Sequence, residues 1–337
     1  MNLAPNINFD VIITTYNRKK NVFELVNSIL QLEIQPNRII VVDSSDEVNE
    51  DLVKLDGVDY ILSNKNHQNQ PYKRLVGAYA SRAENIIFFD DDIEILDERI
   101  FEKLLPLFGE NNVVAFTSNI DFQNFEQKNK WSGIGDFFLF LTGKPLMKSG
   151  ELGLAGYYGA TSRQVMSKVQ VLKGPLMGFK REVFIKLPTN RFLDLFDLQL
   201  SIPEDKILAI RTWRHGDIMN YPENLVRHPK IESTYFKNIR NHTMRVLFSR
   251  YIINMELSVY RSSRFSILYK IHFWYYISWR LVIATSKICG FKKAHKEKLL
   301  GVIDAMKCVF QFNKGFYLQN FDFHCLAKLD AKKAKIS

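Results

Sequence analysis

Cysteine is scarce in this chain of 337 residues, and the three present, Cys289, Cys308 and Cys325, form no C-x-x-C pair. Neither a disulfide framework nor a zinc ribbon is expected, and a reducing compartment suits the sequence better. Glycine and proline number only 16 and 10, which excludes a collagen-like repeat. No internal period of the solenoid or propeller kind is visible. Long uncharged apolar runs are missing too. The most apolar late stretch, 265–291, is interrupted by Lys270, His272, Arg280 and Lys287, whereas a spanning helix needs about 20 largely uncharged residues. Met1–Asp10 has neither a basic nor an apolar segment of the signal-peptide kind, so secretion is not expected.

Acidic residues are lacking in one part only. Residues 227–337 carry 21 basic and 6 acidic side chains, and residues 1–226 carry 25 and 30. The formal net charge of +10 is thus a body of −5 joined to a tail of +15. This split argues against reading the whole chain as nucleic-acid-binding, and assigns the two parts different partners. With 46% hydrophobic and 24% charged residues, the chain has the composition of a folded protein with a sizeable core.

The first half alternates short β-branched runs with helical patterns. Phe9–Thr14 reads as a strand buried on both faces, followed by a helix to Leu30 that Asn17 can cap. Further strands are expected at Arg38–Val42, Val58–Leu62, Asn85–Phe89 and Val113–Ser118, with helices at 73–83 and 97–108. Such βα units predict an α/β fold with a mainly parallel sheet flanked by helices. Ligands collect at the carboxyl ends of strands in these sheets, which brings Thr15, Asp43 and the triplet Asp90–Asp91–Asp92 together. Three adjacent carboxylates repel one another unless a cation lies beside them. A hard ion such as Mg²⁺ or Mn²⁺ fits, and a solvated loop that merely caps the next helix remains the plain alternative.

Seven segments in order carry a resemblance: T-T-Y-N-R at 14–18, V-V-D-S-S at 41–45, P-Y-K-R-L-V-G at 71–77, I-I-F-F-D-D-D at 86–92, G-P-L-M-G-F-K-R-E-V-F at 174–184, P-E-D-K-I-L-A-I-R at 203–211 and Y-P-E-N-L-V-R-H-P at 221–229. Together they resemble the inverting family 2 glycosyltransferases of the GT-A fold, over roughly residues 7–230. The resemblance implies a catalytic domain at 1–230 that takes a nucleotide-sugar donor, UDP- or dTDP-linked. Thr15, Tyr16, Asp43, Arg74, Asp90 and Asp91 would bind the donor. Asp92, Asp90 and His228 would hold the metal. Asp205 would be the general base and Glu204 its companion, although Pro203-Glu204-Asp205 by itself also reads as the first turn of a helix. Lys73, next to Arg74, reads as a solvated lysine. Ser44, where the family more often has a second acid or Asn after Asp43, leaves the nucleotide base open. A nucleotidyltransferase is the alternative, although T-T-Y-N-R lacks the Gly-rich loop expected of one. A degenerate nucleotide-sugar-binding protein is the other.

The glycine-rich segment 150–159 reads as an acceptor-side loop. Residues 231–337 interleave aromatic and basic residues in helical stretches. This extension suits an anionic membrane interface, or packing on the body or a second copy to form a homo-oligomer. No motif supports nucleic-acid binding. The expected acceptor is a glycan or lipid-linked glycan, and the expected location is cytoplasmic, at the periphery of the membrane.

Overall fold

The structure is a computed structural model that describes residues 7–63, 68–122, 148–187, 192–198, 200, 204–229, 238–261, 266–287, 293–315 and 322–333. Its strands are β1 (Phe9–Thr15), β2 (Ile39–Asp43), β3 (Val58–Leu62), β4 (Asn85–Asp90), β5 (Glu94–Ile95), β6 (Val113–Phe122), β7 (Ser167–Val169), β8 (Leu176–Lys180) and β9 (Asp217–His228). The helices are α1 (Lys19–Leu30), α2 (Glu50–Val53), α3 (Gln70–Ala80), α4 (Ile100–Leu104), α5 (Arg181–Lys186), α6 (Phe192–Asp197), α7 (Glu204–Thr212), α8 (Ile239–Arg261), α9 (Ser266–Ser286), α10 (Lys293–Asn313) and α11 (Phe323–Lys333).

All nine strands join one sheet in the order β3-β2-β1-β4-β8-β6-β9-β5, with β7 also on β9. The expected parallel arrangement fills its N-terminal half, where β1 pairs with β2 and β4, and β2 with β3. Beyond β4 the sheet is mixed, because β8 runs antiparallel to both β4 and β6 while β6 and β9 are parallel. The β1 and β2 residues from Val11 to Ile13 and Ile39 to Val42 are fully or almost fully buried, as strands covered on both faces must be.

Local chemistry adjusts several expected boundaries. Asn17 does not cap α1. It sits at φ 53°, in the left-handed region that Asn tolerates, and Arg18 is the residue before the helix. Helix α3 begins earlier than expected because the Asn69 carboxamide accepts from the Tyr72 N–H at 2.8 Å and Pro71 suits the first turn. After α4 the chain tightens into a 3₁₀ turn at Leu105–Gly109, where Pro106 cannot donate to an α-helical ladder. The C-terminal helices are not appended loosely: Leu247, Phe248 and Tyr251 of α8 and Phe273 of α9 lie in one buried apolar cluster with Ile12, Ile40 and Phe88 of the sheet. Helix α11 closes over α3, with the Tyr72 hydroxyl donating to Asp330 at 2.7 Å.

Candidate active site

The carboxyl ends of β1, β2 and β4 lie side by side, with Thr15 paired to Asp43 and Thr14 to Asp90 in register. This places the residues expected from the βα pattern at one edge. The Thr15 hydroxyl donates to Asp91 at 2.7 Å, and Arg18 Nη1 reaches Asp91 at 2.8 Å and Asp92 at 2.6 Å. Asp91 is thereby committed within the protein through both its oxygens. Arg18 was legible only as the last letter of T-T-Y-N-R. Asn17, the residue before it, sits in the left-handed region.

Asp43 is buried, and Ser45 donates to one of its oxygens through both backbone N–H and hydroxyl while the Tyr60 hydroxyl donates to the other at 2.6 Å. Burial and the bond to Asp43 push the Tyr60 phenol well above its ordinary value. Tyr16, on the solvent side of this rim, is 43% exposed and available to a stacking partner. Lys73 departs from the sequence expectation: it is buried, its Nζ donates to the Thr15 carbonyl at 2.7 Å, and burial lowers its pKa to about 8. The amphipathic pattern of α3 does not reveal this, because α3 is covered on nearly every side.

Arg74 has no exposed side-chain surface and joins the two ends of the site. Its Nη2 donates to Asp90 at 2.8 Å and to the Gly174 carbonyl at 3.1 Å, and its Nη1 donates to Glu204 at 3.0 Å. The rigid guanidinium fork holds the end of β4, the segment before β8 and the start of α7 in one geometry. Gln70 also donates to Asp90, and the Asp90 N–H donates to the Pro175 carbonyl at 3.3 Å. Burial pushes the Asp90 carboxyl above its ordinary value despite Arg74. Burial also raises Glu204, to about 7, against the pull of Arg74.

Asp205 follows at the first turn of α7, half-buried, with an oxygen accepting from the Lys206 N–H at 2.8 Å. Tyr158, from the segment read as an acceptor-side loop, lies beside it. Local burial and the Asp205 charge push the Tyr158 phenol up, and Lys206 Nζ stands 5.2 Å from the centre of its ring.

His228 ends β9 and points its Nε2 at Asp92, 3.2 Å away. One ligand atom from each of Asp90, Asp92 and His228 lies within 4.8 Å of the others. Two carboxylate oxygens and an imidazole nitrogen suit Mg²⁺ or Mn²⁺, and a cation would relieve the burial that raises Asp90. Burial also opposes ionisation of Asp92, but its bonds to His228 and Arg18 win and leave it below its ordinary value.

A half-buried lysine also lies outside the expected set. Lys173 Nζ shares its three N–H groups among four oxygens, the Ser118 carbonyl at 3.0 Å, Asn119 Oδ1 at 2.6 Å, Thr161 Oγ1 at 2.8 Å and Asn220 Oδ1 at 3.0 Å. Burial lowers its pKa to about 7. It ties β6, β9 and the segment around Thr161 to the residue before Gly174, whose carbonyl holds Arg74.

The Glycosyl transferase family 2 model matches residues 10–187. None of the curated proteins matches the chain. Among solved structures, the chain is similar to the mannosyltransferase PcManGT from Pyrobaculum calidifontis in complex with GDP-Man and Mn²⁺, at 12% identity over 90% of this chain and 86% of that one, with a TM-score of 0.51. It is also similar to S. aureus TarS 1–349, at 13% identity over 92% of each chain, with a TM-score of 0.46. At such identities the likeness concerns the fold alone. The family match, from β1 through the end of α5, takes in more than half of the sequence, and the chain belongs to the family 2 glycosyltransferases, with a GT-A fold and glycosyltransferase activity.

Proposed function

We propose that the protein transfers a sugar, with inversion, from a nucleotide-diphosphate sugar to a hydroxyl of a glycan or lipid-linked glycan. Asp90, Asp92 and His228 would hold a divalent Mg²⁺ or Mn²⁺ ion, and Asp205 would act as general base. The observation that carries this reading is Arg74, which ties the candidate metal ligand Asp90 to Glu204 beside Asp205. Donor end and base end are therefore one unit, as an in-line displacement requires.

Bound at the carboxylates, the ion would neutralise the diphosphate as the nucleotide leaves. The chain's own residues do the rest. Tyr16 and Asp43 line the side on which the nucleoside would sit. Arg74 and Gln70 fix the Asp90 carboxylate, leaving Asp205 beside Tyr158 to accept the proton of the incoming hydroxyl. UDP- and dTDP-sugars are the donors of choice, and the GDP-Man complex of the similar mannosyltransferase adds GDP-sugars to the panel.

A second reading has one observation in its favour. Glu204, raised to about 7, has a proton affinity suited to a base at neutral pH. Single variants separate the two: Asp205→Asn should bind donor and metal as the wild type does and lose transfer by about 10²-fold or more. Full transfer by a folded Asp205→Asn variant, with Glu204→Gln inactive, would move the base to Glu204.

A further inference from the structure

Helix α9 has an outer face that is exposed among the described residues. Ile267, Leu268, Ile271, Tyr275, Val282 and Ile283 are all exposed, Ile267 at 64%, Ile271 at 58% and Val282 at 55%. Their spacing puts them along one side of the helix, over about 24 Å at the α-helical rise. Lys270 borders this stripe on one edge, and Arg280 and Lys287 border it on the other, all three exposed. No acidic residue occurs in α9, and the region from 227 onward carries a net +15. Among the described residues no helix is long and apolar enough to cross a membrane.

The inner face of the same helix is buried and leads to the active site. Phe273, Tyr276 and Ile277 are at most 3% exposed. The Tyr276 hydroxyl lies 3.5 Å from that of Tyr157, and the Arg250 guanidinium stacks over the Tyr157 ring at 4.2 Å and the Tyr276 ring at 5.6 Å. Tyr157 immediately precedes Tyr158, the residue beside Asp205. Gly156 on the same segment lies so close to Ile253 of α8 that any Cβ there would displace it. The acceptor-side segment is therefore packed against α8 and α9, with Tyr158 in electrostatic reach of the candidate base.

We infer that the outer face of α9 docks in the plane of an anionic lipid surface, holding the Tyr157–Tyr158 segment and the adjacent Asp205 next to that surface. An apolar stripe edged by cations fits an interfacial helix: the apolar side chains enter the acyl boundary while the cations meet headgroups. A second copy of the chain fits worse, because pairing the same face around a two-fold axis sets cation against cation with no acid on either helix. Only the presentation of a lipid-linked acceptor to Asp205 rests on the glycosyl-transfer reading. The docking itself does not.

The test is co-sedimentation of the full-length protein with phosphatidylcholine vesicles, with and without phosphatidylglycerol. Wild type should partition onto the phosphatidylglycerol vesicles only. The double variant Ile271→Asp/Val282→Asp should lose about tenfold or more of that partition with an unchanged melting temperature, since both positions are exposed. Lys270→Ser/Arg280→Ser should lose the preference for phosphatidylglycerol. Wild-type protein that ignores both vesicles overturns the inference, as does a double variant that partitions normally. A wild-type dimer that the double variant dissociates would overturn it in favour of a second copy. Asp205→Asn should still sediment with vesicles, so a failure of the transfer reading and a failure of docking are distinguishable.

Discussion

Arg74→Met removes a fully buried cation that neutralises two acids at once. The side chain has no exposed surface, and the partner carboxylates of Asp90 and Glu204 are 17% and 11% exposed. Deleting it strands both carboxyls and the Gly174 carbonyl, and breaking a buried ion pair from one side costs about 3–5 kcal/mol. With an unfolding entropy of about 2 cal/mol/K per residue, that corresponds to a melting temperature lower by about 4–7 °C for a chain of this length. The loss depends on pH with a definite sign. Burial already pushes Asp90 up and Glu204 to about 7, and without the guanidinium both rise further. Below about 7 the Glu204 carboxyl is neutral and its share of the cost is absent; above that value it is charged and the full cost appears, and the raised Asp90 carboxyl acts in the same direction. Differential scanning fluorimetry of wild type and variant near pH 5 and pH 8 reads this directly: the gap should be smaller at the lower pH and widest at the higher. Equal gaps at both, or none at either, would refute the claim that Arg74 acts by charge compensation. Arg74→Lys keeps the charge but not the fork, and should fall between the two.

Two other substitutions probe packing and the half-buried Lys173. Gly178→Ala in β8 places a Cβ against the Phe116 ring and should cost about 1–3 kcal/mol of overpacking, seen as a lower denaturant midpoint with the same slope. Lys173, lowered to about 7 in the folded protein, binds a proton more readily when unfolded. Wild-type stability should therefore gain a rising component as pH climbs from about 7 towards 10, and Lys173→Met should flatten it in denaturant titrations across that range. An unchanged slope would show that the four oxygen acceptors keep the ammonium charged.

The strand ends were legible because βα alternation is a local pattern with a global consequence. Buried runs ending at Thr15, Asp43 and Asp90 have to converge wherever the strands are parallel neighbours, and they do. The antiparallel return of β8 was not legible, because nothing in L-M-G-F-K records its direction. Lys73 and Lys173 were missed for a related reason. A lysine is read as solvated until its acceptors are known, and here they come from residues as distant in sequence as Thr15 and Asn220. Arg74 was recognisable by its place in P-Y-K-R, yet its bond to Glu204 spans 130 positions and follows only from the fold. In the tail, the aromatic-basic interleaving announced helices but not their faces. The same composition supplies both the side of α9 that buries Phe273 and Tyr276 and the side that exposes Ile267 and Ile271.

The central claim is that Asp90, Asp92 and His228 form a metal-dependent donor site serving a base on α7. The most direct measurement is release of nucleoside diphosphate from a panel of UDP-, dTDP- and GDP-sugars, with Mn²⁺ or with a chelator. The account predicts release from at least one donor with Mn²⁺, none with chelator, and none from a folded Asp92→Ala variant. Equal release with chelator present, or full activity in Asp92→Ala, would contradict it.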